Sequence, residues 1–103
     1  MKDLLIGGIR FLTTDEVADS LLEYSGLLNL YHSVDMVRFP AIVGGTSAQS
    51  AIALGAGSLL VVVDAPDVIP VRLPGAGEAA ADIRRRADKY RDVPADSGSD
   101  AGG

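Results

Sequence analysis

Phe39–Val63 reads FPAIVGGTSAQSAIALGAGSLLVVV, and no charged side chain falls between Arg38 and Asp64. Elsewhere charge is frequent, since Asp, Glu, Lys and Arg make up 22% of the 103 residues. An uncharged run of 25 residues is either the interior of a folded domain or long enough to span a bilayer as a helix. Its composition favours the interior. Gly44-Gly45 and Gly55 with Gly57 break it, and Pro40 stands near its start. Thr46, Ser47, Gln49, Ser50 and Ser58 dilute its middle, where polarity costs a span most, and neither a basic cluster nor an aromatic belt flanks it. The run is therefore expected to supply strands rather than a span, with a membrane-associated small subunit as the alternative.

Within the run, Ser58–Asp64 is the firmest strand. Val61-Val62-Val63 is β-branched and apolar on both faces, which predicts a central position in the sheet. Met36–Ala41 alternates, and Pro40 marks an edge or a bulge in that strand. Thr46–Gly55 reads two ways. Thr46 with Gln49 and a closing Gly55 suit a short capped helix. The alternation of Ser50, Ile52 and Leu54 with Gln49, Ala51 and Ala53 suits a strand, and the strand is favoured. Gly44-Gly45 and Ala56-Gly57 are then hairpin turns.

Before the run, Leu4–Leu12 suits a short strand, with Gly7-Gly8 as a turn or bulge. Thr13 to about His32 carries the clearest helix signal. Thr13 and Glu16 have capping-box spacing, and Asp15, Glu16 and Asp19 crowd the first turns, where the helix dipole favours anions. Val17, Leu21, Tyr24, Leu28 and Tyr31 share one face, widened by Leu22. Gly26 is weak in a helix and is expected where another backbone approaches closely. After the run, Val68–Leu73 reads as an edge or connector closed by Pro74. A second helix follows over Glu78–Arg91, with Ala79, Ile83, Ala87 and Tyr90 on one face. Residues 93–103 are small, polar and acidic, and are expected to form a disordered tail.

The pattern as a whole predicts one α+β domain over residues 1–92, ordered β-α-β-β-β-α, with a mostly antiparallel sheet and its helices on one face. Charge narrows the partners. The net charge is −5 and aromatics are 5% of the chain, a poor match to nucleic acid, whose phosphates call for a basic face. With no Cys there is no disulfide, thiol nucleophile or thiolate metal site, which suits a cytoplasmic protein. At 48% hydrophobic residues, the chain holds more apolar surface than so small a core needs. That surplus points to a homodimer or another protein partner. Tyr24, Leu28 and Tyr31 on the helix, with Val61 and Val63 on the strand, are the candidate interface.

Candidate chemistry is sparse. His32 is the single histidine, and with Tyr31 and Asp35 it forms the one compact group suited to a small ligand or to acid–base work. A triad would need a nucleophile held against it, and no G-x-S-x-G elbow is present. The bland alternative is a histidine meeting the last carbonyls of a helix. Gly44-Gly45-Thr46 makes an anion site only if the helix option for Thr46–Gly55 holds. Gly55-Ala56-Gly57-Ser58 precedes the strongest strand instead of following one, so it reads as a turn. Arg84-Arg85-Arg86 cannot form one patch alone, because consecutive helical residues diverge; a solvated face with salt bridges is expected, and contact with phosphate or an acidic partner is the alternative. Asp64 and Asp67 flank a proline turn and read as turn caps. No catalytic residue, metal site or cofactor is expected.

Three stretches carry a resemblance: Phe11–Tyr24 (FLTTDEVADSLLEY), Val34–Val37 (VDMV) and Leu54–Ser58 (LGAGS). Together they resemble small uncharacterised proteins of high-GC Gram-positive bacteria, in which a capped helix and a polar turn lead into strands closed by a Leu-Gly-x-x-Ser element. The similarity covers about residues 10–64. It implies a strand before Gly55 and brings no activity.

Overall fold

A computed structural model of the chain describes residues 1–65 and 72–91. The expected order is present, with the first strand folded into a hairpin. The elements are β1 (Lys2–Ile6), β2 (Ile9–Thr13), α1 (Asp15–Leu30), β3 (Val34–Val43), β4 (Thr46–Gly55), β5 (Leu60–Asp64) and α2 (Ala76–Arg91). The five strands form one antiparallel sheet in the order β4-β3-β2-β1-β5. Both helices pack on one face of it. Among the described residues, no helix is long and apolar enough to cross a membrane. The expected acidic tail, the Pro66-Asp67 part of the turn after β5, and the start of the connector lie outside the described residues.

Two tight turns set the registers. Gly7-Gly8 (φ 56° and 83°) and Gly44-Gly45 (φ 59° and 82°) have positive φ at both central positions. That is the two-residue type I′ turn, whose twist matches paired strands. The second turn lets all ten residues of Thr46–Gly55 pair with β3, from Val43↔Thr46 to Val34↔Gly55. The strand option for this segment therefore holds, and pairing overrides the local helix signals. Ser50, Ile52 and Leu54 turn inward as the alternation requires.

The core lies between the sheet and the helices. Leu4, Val17, Leu21, Leu28, Val37, Phe39 and Ile83 are all essentially unexposed. Each such burial stabilises by about 1.5–3 kcal/mol. Phe11 and Phe39 meet edge to face, with ring centroids 5.9 Å apart. The apolar stripe of α1 is buried from Val17 to Leu28, whereas Leu22 is half exposed.

Two expectations for α1 are corrected. The cap is Thr14, whose hydroxyl accepts from the Val17 amide at 3.2 Å. Thr13 instead closes β2, buried, and donates its hydroxyl to Pro40 O at 2.9 Å. Gly26 is not a close-approach position, since nothing lies within 4 Å of a Cβ built there. That role belongs to Gly55 (φ +97°), where a Cβ would stand 2.1 Å from Ser33 O and 3.0 Å from Leu28 Cβ.

The uncharged run is also placed differently from its reading as consecutive buried strands. Among the described residues, β4 and β5 form opposite edges of the sheet, and β5 pairs only with β1. Val61 and Val63 are 38% and 47% exposed. The apolar pattern of β5 therefore does not reflect a central position.

Pro40 is explained by the short overlap of β2 and β3, which share the single pair Leu12↔Ile42. From the Gly44-Gly45 turn, alternation directs the backbone groups of Met36, Arg38 and Pro40 away from β4. Among the described residues no strand meets them there, so a residue without an N–H costs nothing. Two side chains complete this edge: Thr13 bonds Pro40 O, and Arg86 of α2 donates to Met36 O at 2.9 Å.

Candidate functional site

The predicted group at the end of α1 comes apart. His32 is exposed, with φ 54°, as the left-handed residue of a Schellman cap. Its amide donates to Asn29 O at 3.2 Å, and Ser33 N donates to Leu28 O at 2.8 Å. His32 thus meets the helix carbonyls through its backbone. Asn29 turns instead to the glycine turn, accepting from Gly57 N at 2.8 Å. That bond, with Ala56 N donating to Ser33 O at 3.3 Å, ties Gly55–Ser58 to the end of the helix.

Asp35 belongs to a different cluster. One of its oxygens, Oδ2, accepts from Tyr24 Oη at 2.6 Å and from Arg86 Nη1 at 2.9 Å. Arg86 also pairs with Asp82 at 3.1 Å. Tyr90 brings the three tyrosines together, its ring centroid 6.0 Å from Tyr24 and 5.3 Å from Tyr31. Burial pushes the Tyr24 phenol up, reinforced by its bond to Asp35. Burial also pushes Asp35 up, but the hydrogen bonds from Tyr24 and Arg86 outweigh it and hold the carboxyl below its usual range. The bond to Asp35 raises Arg86. Each polar group is thus satisfied by another, and the cluster locks α1, β3 and α2 together. A shallow hollow of about 480 Å³ lies over it, lined by Tyr24, Val34, Asp35, Arg86, Lys89 and Tyr90. Sequence reading missed Arg86 because its partner lies 51 positions away. Within the arginine triplet, Arg84 pairs with Glu16, Arg85 and Arg86 share Asp82, and Arg86 also pairs with Asp35.

Gly44-Gly45-Thr46 joins two strands, so the helix N-terminus that an anion site there requires is missing. Gly44 and Gly45 line an open groove of about 780 Å³ with Asp3, Arg10, Leu12 and Ile42. Among the described residues, no group of three or more His, Cys, Asp or Glu is placed to hold a metal.

The helix-free face of the sheet gathers the remaining candidates. Cross-strand register sets Val61, Leu5 and Arg10 in one row, and Val63, Asp3, Leu12 and Ile42 in the next. The apolar members form a patch, and its two charges face each other, with Arg10 Nε 3.8 Å from Asp3 Oδ2. Val61 and Val63 are therefore open to a partner. Tyr24 and Leu28 pack inside the chain's own core and offer a partner nothing, while Tyr31 is 43% exposed beside Tyr90 of α2. Comparison of the chain with protein-family models, curated proteins and solved structures found no match.

Proposed function

We propose that the chain is a non-enzymatic interaction module that pairs with a second copy of itself across the helix-free face of its sheet. The observation that carries this reading is the patch of Val61, Val63, Leu5, Leu12 and Ile42, with no helix over it among the described residues. Edge position does not account for the apolar outer side chains of β5, but cover by another chain does. A second copy suits the charge. Two chains of net charge −5 repel, but the two charged groups within this patch, Asp3 and Arg10, face each other with opposite sign. The polar groups of the Tyr24–Asp35–Arg86 cluster are occupied in holding elements together, which supports a structural reading over a catalytic one. The same proposal places the protein in the cytoplasm, beside the small proteins of high-GC Gram-positive bacteria that residues 10–64 resemble.

Light scattering on the intact chain and on a Val61→Glu/Val63→Glu variant tests it. The wild type should show at least twice the 10.6 kDa chain mass. The variant should show a smaller mass with an unchanged far-UV circular dichroism spectrum. An equal mass for the two proteins removes the face from the interface.

A further inference from the structure

We propose that the outer edge of β4 pairs with the same edge of a second copy, forming a two-fold antiparallel ladder centred on Ser50. An open strand edge invites pairing, and proteins commonly guard it with lysine, proline, a bulge or short length. β4 has none of these guards. It is ten residues long, TSAQSAIALG, with neither charge nor proline, and its register with β3 runs unbroken. In a chain of net charge −5, it is a long strip on which a second copy meets no like charge.

The backbone geometry is self-complementary. The Gly44-Gly45 turn makes Val43↔Thr46 the closing hydrogen-bonded pair. Alternate residues of β4 therefore bond to β3, and the N–H and C=O groups of Ser47, Gln49, Ala51 and Ala53 point off the sheet. All four residues are exposed. A two-fold axis through Ser50 sets Ser47 opposite the partner's Ala53 and Gln49 opposite the partner's Ala51. Every outward group then gains a partner, and inward side chains stay inward, because the shift between copies is an even number of residues.

Arg38 gives independent support. It lies next to Ala51 in register, exposed, and has no ion pair among the described residues. Ala51 presents only a methyl group, so the guanidinium can pass over it toward the partner's Gln49, whose amide oxygen accepts. Two strand spacings, about 10 Å, separate these positions, a span that an extended Arg and a Gln cover together.

This contact is distinct from the helix-free face and shares with the proposed function only its partner, a second copy. Two isologous contacts on one chain close into four copies when their axes meet at right angles.

Disulfide trapping tests the register, and the chain's lack of cysteine makes introduced thiols unambiguous. Opposed residues in a hydrogen-bonded pair lie about 5.5 Å apart at Cα, within disulfide reach. Ser47→Cys chains mixed with Ala53→Cys chains should form a disulfide-linked pair under mild oxidation. Either alone should not, because residue 53 of one copy lies about 20 Å from its equivalent. No link in the mixture, or equal linking in each variant alone, overturns the inference. A second variant guards against misfolding. Ala51→Pro removes an outward N–H and leaves the bonds to β3 in place, so it should abolish trapping and lower the mass with an unchanged circular dichroism spectrum. A folded Ala51→Pro chain of wild-type mass also overturns it. Trapping that persists in the Val61→Glu/Val63→Glu background supports the edge independently of the face. A wild type above the single-chain mass that cannot be trapped leaves the face reading standing and rejects the edge.

Discussion

Replacing Gly55 by alanine should be the most damaging single methyl addition in the described chain. The structure supplies two separate causes. The first is conformational: φ is +97°, and an L-residue held in left-handed space loses about 1–2 kcal/mol. The second is steric. The new Cβ would stand 2.1 Å from Ser33 O and 3.0 Å from Leu28 Cβ. Neither neighbour yields cheaply. Ser33 O belongs to the backbone just after the Schellman cap and accepts from Ala56 N, and Leu28 is fully buried. Forcing the two segments apart should cost a further 1–3 kcal/mol or so, the usual range for overpacking. The expected total, about 2–5 kcal/mol, is a large part of the roughly 5–15 kcal/mol that holds a small domain together. Urea unfolding followed by circular dichroism measures it, with Gly57→Ala as the control. Gly57 also has positive φ, 78°, but nothing lies within 4 Å of its added Cβ, so only the first cost of about 1–2 kcal/mol applies. If Gly55→Ala is no less stable than Gly57→Ala, the close packing of the glycine turn on α1 is refuted.

Other substitutions separate the remaining local claims. Gly26→Ala should stabilise by about 1 kcal/mol, seen as a higher urea midpoint, because the site is exposed and uncrowded; a loss would restore the close-approach reading. His32→Gly should raise stability by about 0.5–1 kcal/mol through relief of its left-handed conformation, whereas a marked loss would mean that the imidazole itself is needed. Asp35 carries a pH signature. Its carboxyl is held below the usual 3.8, so the folded state binds that proton less readily than the unfolded state. Its stabilising contribution is complete above that value and is lost as pH falls through the lower folded-state value. Urea midpoints at pH 3 and pH 7 should therefore differ less for Asp35→Asn than for the wild type, and an equal difference would detach Asp35 from Tyr24 and Arg86.

Much of the fold was legible because it rests on local signals. The stripe from Val17 to Leu28 sets α1 on the core, and the paired glycines at 7–8 and 44–45 permit turns that other residues resist. The inward alternation of Ser50, Ile52 and Leu54 separates strand from helix in an ambiguous segment. What stayed hidden depends on which elements meet. A strand that is apolar on both sides looks the same whether both faces are covered or one is left open, and so β5 was expected in the centre. Gly26 stands in open space within a helix, whereas Gly55 has positive φ and meets Ser33 O, and neither difference shows in the residue itself. Arg86 could not be singled out from its triplet, since two of its acceptors, Asp35 and Met36 O, are brought near by the packing of α2 on β3. Tyr31, His32 and Asp35, adjacent in sequence, diverge because the helix cap turns the chain between them.

The central claim is self-association, and sedimentation equilibrium on the intact chain over a wide concentration range tests it most directly. The account predicts a mass at or above twice 10.6 kDa at high concentration, decreasing on dilution as the contacts dissociate. A mass of one chain at every concentration would contradict it.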